Sequence, residues 1–94
     1  INIHPEAKII GPVFVGNRVV IEQGAVVGPY VVIGDDSYIA SGCRVIDSVL
    51  LDHVYLSKNI KLISTIIGQR CKIAGQKELC NIVYTDELSH SIAV

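Results

Sequence analysis

Residues 15–39 read V-G-N-R-V-V-I-E-Q-G-A-V-V-G-P-Y-V-V-I-G-D-D-S-Y-I, and within them Val15, Ile21, Val27, Ile33 and Ile39 fall at every sixth position. The frame extends to Ile9 and Ile3 on one side and to Val45 and Leu51 on the other, an unbroken run of nine aliphatic residues. About a third of the chain is Ile, Val or Leu, so such a run arises by chance roughly once in ten thousand frames. The stretch is an internal repeat, and it governs how the rest of the chain is read.

A second slot, four residues after each aliphatic, holds Ala7, Val13, Val19, Ala25, Val31, Ser37, Cys43, Val49 and Tyr55. All are small or medium-sized except the last. Glycine follows the aliphatic at Gly16, Gly28 and Gly34, where the chain can bend without a Cβ clash. A helix does not fit, because a six-residue repeat wanders around a 3.6-residue turn and Gly11, Pro12, Gly24, Gly28 and Pro29 would interrupt it. In extended chain, residues six apart share a face, and six residues span roughly 20 Å, one short strand plus a bend. The repeat therefore predicts short strands stacked as coils.

The motifs I-H-P-E-A-K, V-G-N-R-V-V, V-G-P-Y-V-V and I-G-D-D-S-Y resemble the hexapeptide repeat of left-handed parallel β-helices. In that family three hexads make one triangular coil, which implies an all-β fold with equivalent positions eighteen residues apart, as Ile3, Ile21 and Ile39 are. The implied inward ladders are Ile3/Ile21/Ile39, Ile9/Val27/Val45 and Val15/Ile33/Leu51. Smaller residues stack as Ala7/Ala25/Cys43, Val13/Val31/Val49 and Val19/Ser37/Tyr55. The left hand comes from the resemblance alone, since parallel crossovers are ordinarily right-handed.

After Tyr55 the register slips, for Ser57 occupies an aliphatic slot; I-G-Q-R-C-K from Ile67 restores the pattern four residues out of frame. This predicts about four coils: three over residues 3–56 and an irregular fourth to about Gly75. The β-helix is thus assigned to 1–75 and a capping tail to 76–94, since solenoid ends need their strand edges covered.

Ninety-four residues allow one domain, and half are hydrophobic, with one Phe and no Trp, a composition suited to narrow aliphatic ladders. The longest apolar runs are a few residues, so neither a membrane span nor a signal peptide is expected. Methionine is absent and the chain opens inside a repeat. That predicts a domain of a longer protein, with a preceding part covering the first coil.

Net charge is −1, unevenly spread. Residues 53–77 hold Lys58, Lys61, Arg70, Lys72 and Lys77 without an acid, which makes Lys58, Lys61, Arg70 and Lys72 candidates for holding an anion; the competing reading is a solvated face. Nucleic acid is not expected as a partner, because no aromatic residues are interleaved with these bases. Cys43, Cys71 and Cys80 lack metal-like spacing, so no metal is expected, and the odd count favours a reducing cytoplasm.

Many hexapeptide-repeat enzymes are acyltransferases that use a histidine base and acyl-CoA. His53, two residues past Leu51, is the candidate base under that reading. His4 opens the first repeat, and His90 lies in the tail. Against acyl transfer, those enzymes interrupt the repeats with a projecting loop, whereas this frame runs unbroken through Leu51. Asp35 and Asp36 follow Gly34 at a corner, where Asp is a turn former.

V-I-D-S-V-L-L-D-H-V, followed by I-S-T-I-I-G-Q-R-C-K-I-A-G, is similar to the carboxyl-terminal β-helix of sugar-phosphate nucleotidylyltransferases of the mannose-1-phosphate guanylyltransferase and glucose-1-phosphate thymidylyltransferase type. The resemblance covers residues 3 to about 75. It implies a parent whose separate amino-terminal domain joins a nucleoside triphosphate to a sugar 1-phosphate and releases pyrophosphate. For this chain it implies an oligomerisation or regulatory role, with no catalytic residue and no cofactor of its own. Outward Val20, Val26 and Val32, again six apart, are expected to offer an apolar surface for a homo-oligomer formed through the β-helix faces. A structural module for binding other proteins is the third alternative.

Overall fold

The computed structural model describes residues 1–75 and 77–85, and the backbone of 91–93. Its strands are two or three residues long, as a six-residue repeat requires. In chain order they are β1 (Asn2–Ile3), β2 (Lys8–Ile9), β3 (Val13–Val15), β4 (Val20–Ile21), β5 (Val26–Val27), β6 (Val31–Ile33), β7 (Tyr38–Ile39), β8 (Arg44–Ile46), β9 (Ser48–Leu50), β10 (Tyr55–Leu56), β11 (Lys61–Ile63), β12 (Ile66–Ile67), β13 (Lys72–Ile73), β14 (Glu78–Cys80), β15 (Ile82–Tyr84) and β16 (Ser91–Ala93).

Every third strand stacks on the same wall. The first wall is β1-β4-β7-β10-β13, the second β2-β5-β8-β11-β14, and the third β3-β6-β9-β12-β15-β16. All pairings are parallel except that of β15 with β16. The architecture is the left-handed parallel β-helix, with about five turns where the repeat predicted about four. The additional turn comes from Glu78–Cys80 and Ile82–Tyr84, which form rungs of the second and third walls although they were expected in the tail. Beyond them β16 runs antiparallel along β15, with Val83 opposite Ile92. Residues 76, 86–90 and 94 of the expected cap lie outside the described residues.

Three ladders fill the interior. The first is Ile3, Ile21, Ile39, Leu56 and Ile73; the second is Ile9, Val27, Val45, Leu62 and Leu79. The third is Val15, Ile33, Leu50, Ile67 and Tyr84. Ile21, Val27, Ile33, Ile39, Val45, Leu50, Leu56, Leu62 and Ile67 have no exposed surface, and each such burial stabilises by about 1.5–3 kcal/mol relative to exposure. Ile3 and Ile9, with no coil beneath them, are each 38% exposed.

The third ladder corrects one expectation. Leu50, not Leu51, is the inward residue: Ile33 pairs with Leu50, and Leu51 is 44% exposed. Likewise Ser48 and Val54 occupy the small buried slots assigned to Val49 and Tyr55, whose side chains point outward. The frame shifts between Val45 and Leu50, before Tyr55 rather than after it. Ile9 to Val15 and Val27 to Ile33 are steps of six, whereas Val45 to Leu50 and Leu62 to Ile67 are steps of five. Two successive losses at the same corner explain why I-G-Q-R-C-K lies out of frame with the first repeats.

Corner geometry repeats from coil to coil. Arg18, Asp36, His53 and Arg70, one per coil, hold φ of 55°, 60°, 59° and 59° at the corner leading from the third wall to the first. At the corner from the second wall to the third, Gly28 has φ 106°, and a Cβ there would run into the carbonyl oxygen of Ile10 in the coil beneath. Buried hydroxyls take amides that wall-to-wall pairing leaves open. Ser37 Oγ accepts from the Val54 N–H at 3.1 Å, and Ser48 Oγ from the Thr65 N–H at 3.1 Å.

Candidate functional site

The interior is aliphatic and closed, so the chemistry available to a partner lies on three outer faces and three corners. Along the first wall the outward column is Asn2, Val20, Tyr38, Tyr55 and Lys72. The Tyr38 and Tyr55 rings stack with centroids 5.0 Å apart and planes 7° from parallel, and Lys72 Nζ sits 5.2 Å from the Tyr55 centroid. The Tyr38 hydroxyl donates to Glu22 Oε2 at 2.6 Å. That hydrogen bond, with burial, pushes the phenol up to about 12. The Tyr55 ring is thus engaged by both Tyr38 and Lys72.

The second wall's outward column is Lys8, Val26, Arg44, Lys61 and Glu78, with Lys61 Nζ 3.5 Å from Glu78 Oε1. It is a charged face.

The third wall differs. Its outward column is Phe14, Val32, Val49, Ile66 and Val83, all apolar. Gly16, Gly34 and Gly68 flank it without side chains, while Leu51 stands exposed in the same row. At its lower end Pro12, Val13, Phe14, Tyr30, Val31 and Val32 line a shallow apolar depression. Of the three valines expected to share a surface, only Val32 belongs here. Val20 lies on the first wall and Val26 on the second, because residues six apart occupy successive sides of one coil. The residues that build the apolar face are one coil apart, and counting by six missed Phe14, Ile66 and Val83.

The corner between the third wall and the first gathers titratable groups. The Arg18 guanidinium donates to both Asp36 carboxylate oxygens, at 2.6 and 3.0 Å. That hydrogen bond, reinforced by the charges of Arg18 and His53 and opposed by desolvation, holds the Asp36 carboxyl below its ordinary value. His53 Nε2 lies 3.7 Å from Asp36 Oδ2, with its side chain 57% exposed. Next to this column, the Asn17 N–H donates to Asp35 Oδ1 at 2.7 Å and the Asp35 N–H to Asp52 Oδ1 at 2.8 Å. The carboxylates here terminate backbone donors from coil to coil.

The basic residues singled out from the sequence are spread around the molecule. Lys61 is on the second wall, Lys72 on the first, Lys58 at the corner between those walls, and Arg70 at the corner between the third and first. His4 Nδ1 accepts the Glu6 N–H at 3.0 Å in the opening turn, and His90 is outside the described residues. Cys43 is buried in the column of Ala7 and Ala25, its thiol donating to the Ser57 carbonyl at 3.0 Å. Burial pushes that thiol up. Among the described residues no three His, Cys, Asp or Glu side chains are grouped to hold a metal ion.

Residues 9–91 match the family model described as the GMPPB C-terminal domain. Over 68 residues the chain is 35% identical to "Probable mannose-1-phosphate guanyltransferase" of Schizosaccharomyces pombe, a match covering 72% of this chain and 16% of that protein. Among solved structures, it is similar to the H141N mutant of perosamine N-acetyltransferase from Caulobacter crescentus in complex with CoA and GDP-perosamine. That match has a TM-score of 0.49 at 14% identity and covers 98% of this chain and 56% of the other. It is also similar to PerB from the same organism, with a TM-score of 0.46 at 15% identity, covering 97% of this chain and 56% of the other. With the family model matching nearly the whole β-helix, this chain belongs to the GMPPB C-terminal domain family.

Proposed function

We propose that these residues are the non-catalytic assembly and regulatory β-helix of a sugar-1-phosphate nucleotidylyltransferase of the mannose-1-phosphate guanylyltransferase kind, acting in the cytoplasm. In the parent, a separate amino-terminal domain joins a nucleoside triphosphate to a sugar 1-phosphate and releases pyrophosphate. Family membership over residues 9–91 is the observation that carries this reading. The chain's own surface supports the assembly role, because one of its three walls presents an uncharged apolar column. The β-helix contributes shape and contact area, and the bond-making groups reside in the rest of the parent.

The test is an assay of pyrophosphate release from GTP and mannose 1-phosphate, run with this chain and with its full-length parent. Turnover is expected from the parent and none from the chain alone. Turnover by the isolated chain overturns the assignment.

A further inference from the structure

We infer that Arg70 and Lys72, with His53 and the Tyr55 hydroxyl on the rung beneath, form a binding site for a dianionic phosphate group, free or carried as a monoester on a small molecule. The site is independent of the assembly reading, because it stands on this chain's own side chains.

The register brings the four together. Tyr55 pairs with Lys72, while His53 and Arg70, each two residues earlier, hold equivalent left-handed corner positions. Neighbouring rungs lie about 4.8 Å apart and two extended residues span about 6.6 Å, so the four side chains leave the backbone from a patch of roughly 5 by 7 Å. Val54 and Cys71, between them, are buried, and His53, Tyr55, Arg70 and Lys72 are all exposed on the outer surface. Among the described residues β13 is the last strand of the first wall, so no further rung covers Lys72.

The nearby acids are already committed. Both oxygens of Asp36 accept from Arg18, Glu22 accepts the Tyr38 hydroxyl, and Asp35 and Asp52 each accept a backbone amide from the rung beneath. No ion pair among the described residues involves Arg70 or Lys72, whereas Lys61 on the second wall has Glu78. Two cations on one rung therefore face solvent with a histidine and a phenol below them.

That donor set suits a phosphate. The guanidinium fork of Arg70 matches two phosphate oxygens, and Lys72 adds the second positive charge that balances a dianion. The Tyr55 ring, itself stacked on Tyr38, holds the Lys72 ammonium 5.2 Å from its centroid, which reduces the ordering cost of binding. A phosphodiester has one charge and leaves one of the cations uncompensated.

The experiment is a titration of this chain, followed by amide proton–nitrogen correlation spectra at constant ionic strength, with sodium phosphate, phenyl phosphate and dimethyl phosphate. The pH is held at about 8, where a phosphate whose second pKa is about 6 is the dianion. Saturating shifts are expected at His53, Tyr55, Arg70 and Lys72, with a dissociation constant on the order of 1 mM. Dimethyl phosphate is expected to bind at least ~10-fold more weakly. Arg70→Gln and Lys72→Gln should each weaken phosphate binding by about 10-fold, since each removes a charged hydrogen bond. Arg70→Lys should fall between, and Lys61→Gln on the second wall should change nothing. Every substituted position lies outside the core, and the same spectra verify that each variant is folded.

Tighter binding of phenyl phosphate assigns the site to a monoester and tighter binding of inorganic phosphate to the free ion; either supports the inference. No saturation below about 20 mM, an equal response to dimethyl phosphate, or an equal loss in Lys61→Gln overturns it. None of these results bears on the pyrophosphate assay, which tests the parent assignment separately.

Discussion

Between the second and third walls, the first two coils turn through Gly11-Pro12 and Gly28-Pro29, whereas the later coils turn through Asp47, Ser64 and Asn81 with one residue fewer. In the long corner the Val31 N–H is taken by the Pro12 carbonyl at 3.3 Å. At the first short corner the equivalent amide, that of Ser48, is taken by the Tyr30 carbonyl at 3.1 Å, and at the second that of Thr65 is taken by the Ser48 hydroxyl at 3.1 Å. Asp47, Ser64 and Asn81 adopt φ of 50°, 50° and 56°, a left-handed conformation that short polar residues tolerate better than branched ones. The interior does not register the change, since Ile33, Leu50 and Ile67 still stack in one ladder. What the wall requires is an inward aliphatic on each rung; how many residues the chain spends reaching it is a property of the corner.

The sharpest way to break this comparison is at the first short corner, where two adjacent leucines compete for one place. Leu50→Ala is expected to cost about 2–5 kcal/mol, because it opens a cavity in a closed ladder. Leu51→Ala is expected to cost less than about 1 kcal/mol, because its side chain is already in solvent. Urea unfolding of both variants measures the difference, and equal costs would restore the unbroken six-residue frame.

A smaller effect is expected from Ser48→Ala. The substitution strips the Thr65 amide of its acceptor inside the wall, costing about 1–3 kcal/mol by the same measurement. A neutral result would mean that the short corner does not depend on a hydroxyl in place of a carbonyl.

The smallest effect belongs to the corner that keeps its length in every coil. Arg18→Gln removes the bidentate partner of Asp36. Because the native carboxyl lies below its ordinary value of about 3.9, the pair's contribution is present above that value and is lost as pH falls through the lowered native one. The variant is therefore expected to be slightly less stable than wild type at neutral pH and to converge with it once the pH has fallen below the lowered Asp36 value. Added salt should shrink the neutral-pH difference, since Arg18 is exposed. A constant difference across the titration would assign the effect to packing.

Much of the architecture was legible because aliphatic spacing is what the interior selects. Ile3 through Val45 announce their places by period alone, and each stands where the period puts it. Legibility failed at Leu50 and Leu51, since two neighbouring leucines satisfy a count equally and only the Asp47 corner decides between them. The fifth turn was missed because its third-wall rung is filled by Tyr84, an aromatic in an aliphatic series, and its approach carries Lys77 and Glu78. The apolar face went unread for a geometric reason. Its members recur once per turn of the solenoid, at intervals of eighteen or seventeen residues, so a six-residue count scattered them over three sides. His53 was singled out by its chemistry, and the structure accounts for its backbone: it is one of four residues, with Arg18, Asp36 and Arg70, in the same left-handed corner position.

The variable corner has an evolutionary corollary. Every other ladder-to-ladder step is six residues wherever the rungs are paired, so a single-codon deletion elsewhere would turn an inward aliphatic toward water and an outward polar residue inward. At the seam before the third wall the same deletion has been absorbed without disturbing the interior. Length polymorphism among relatives should therefore gather at that seam, and a family tree of this domain would record its insertions and deletions along one vertical edge of the prism.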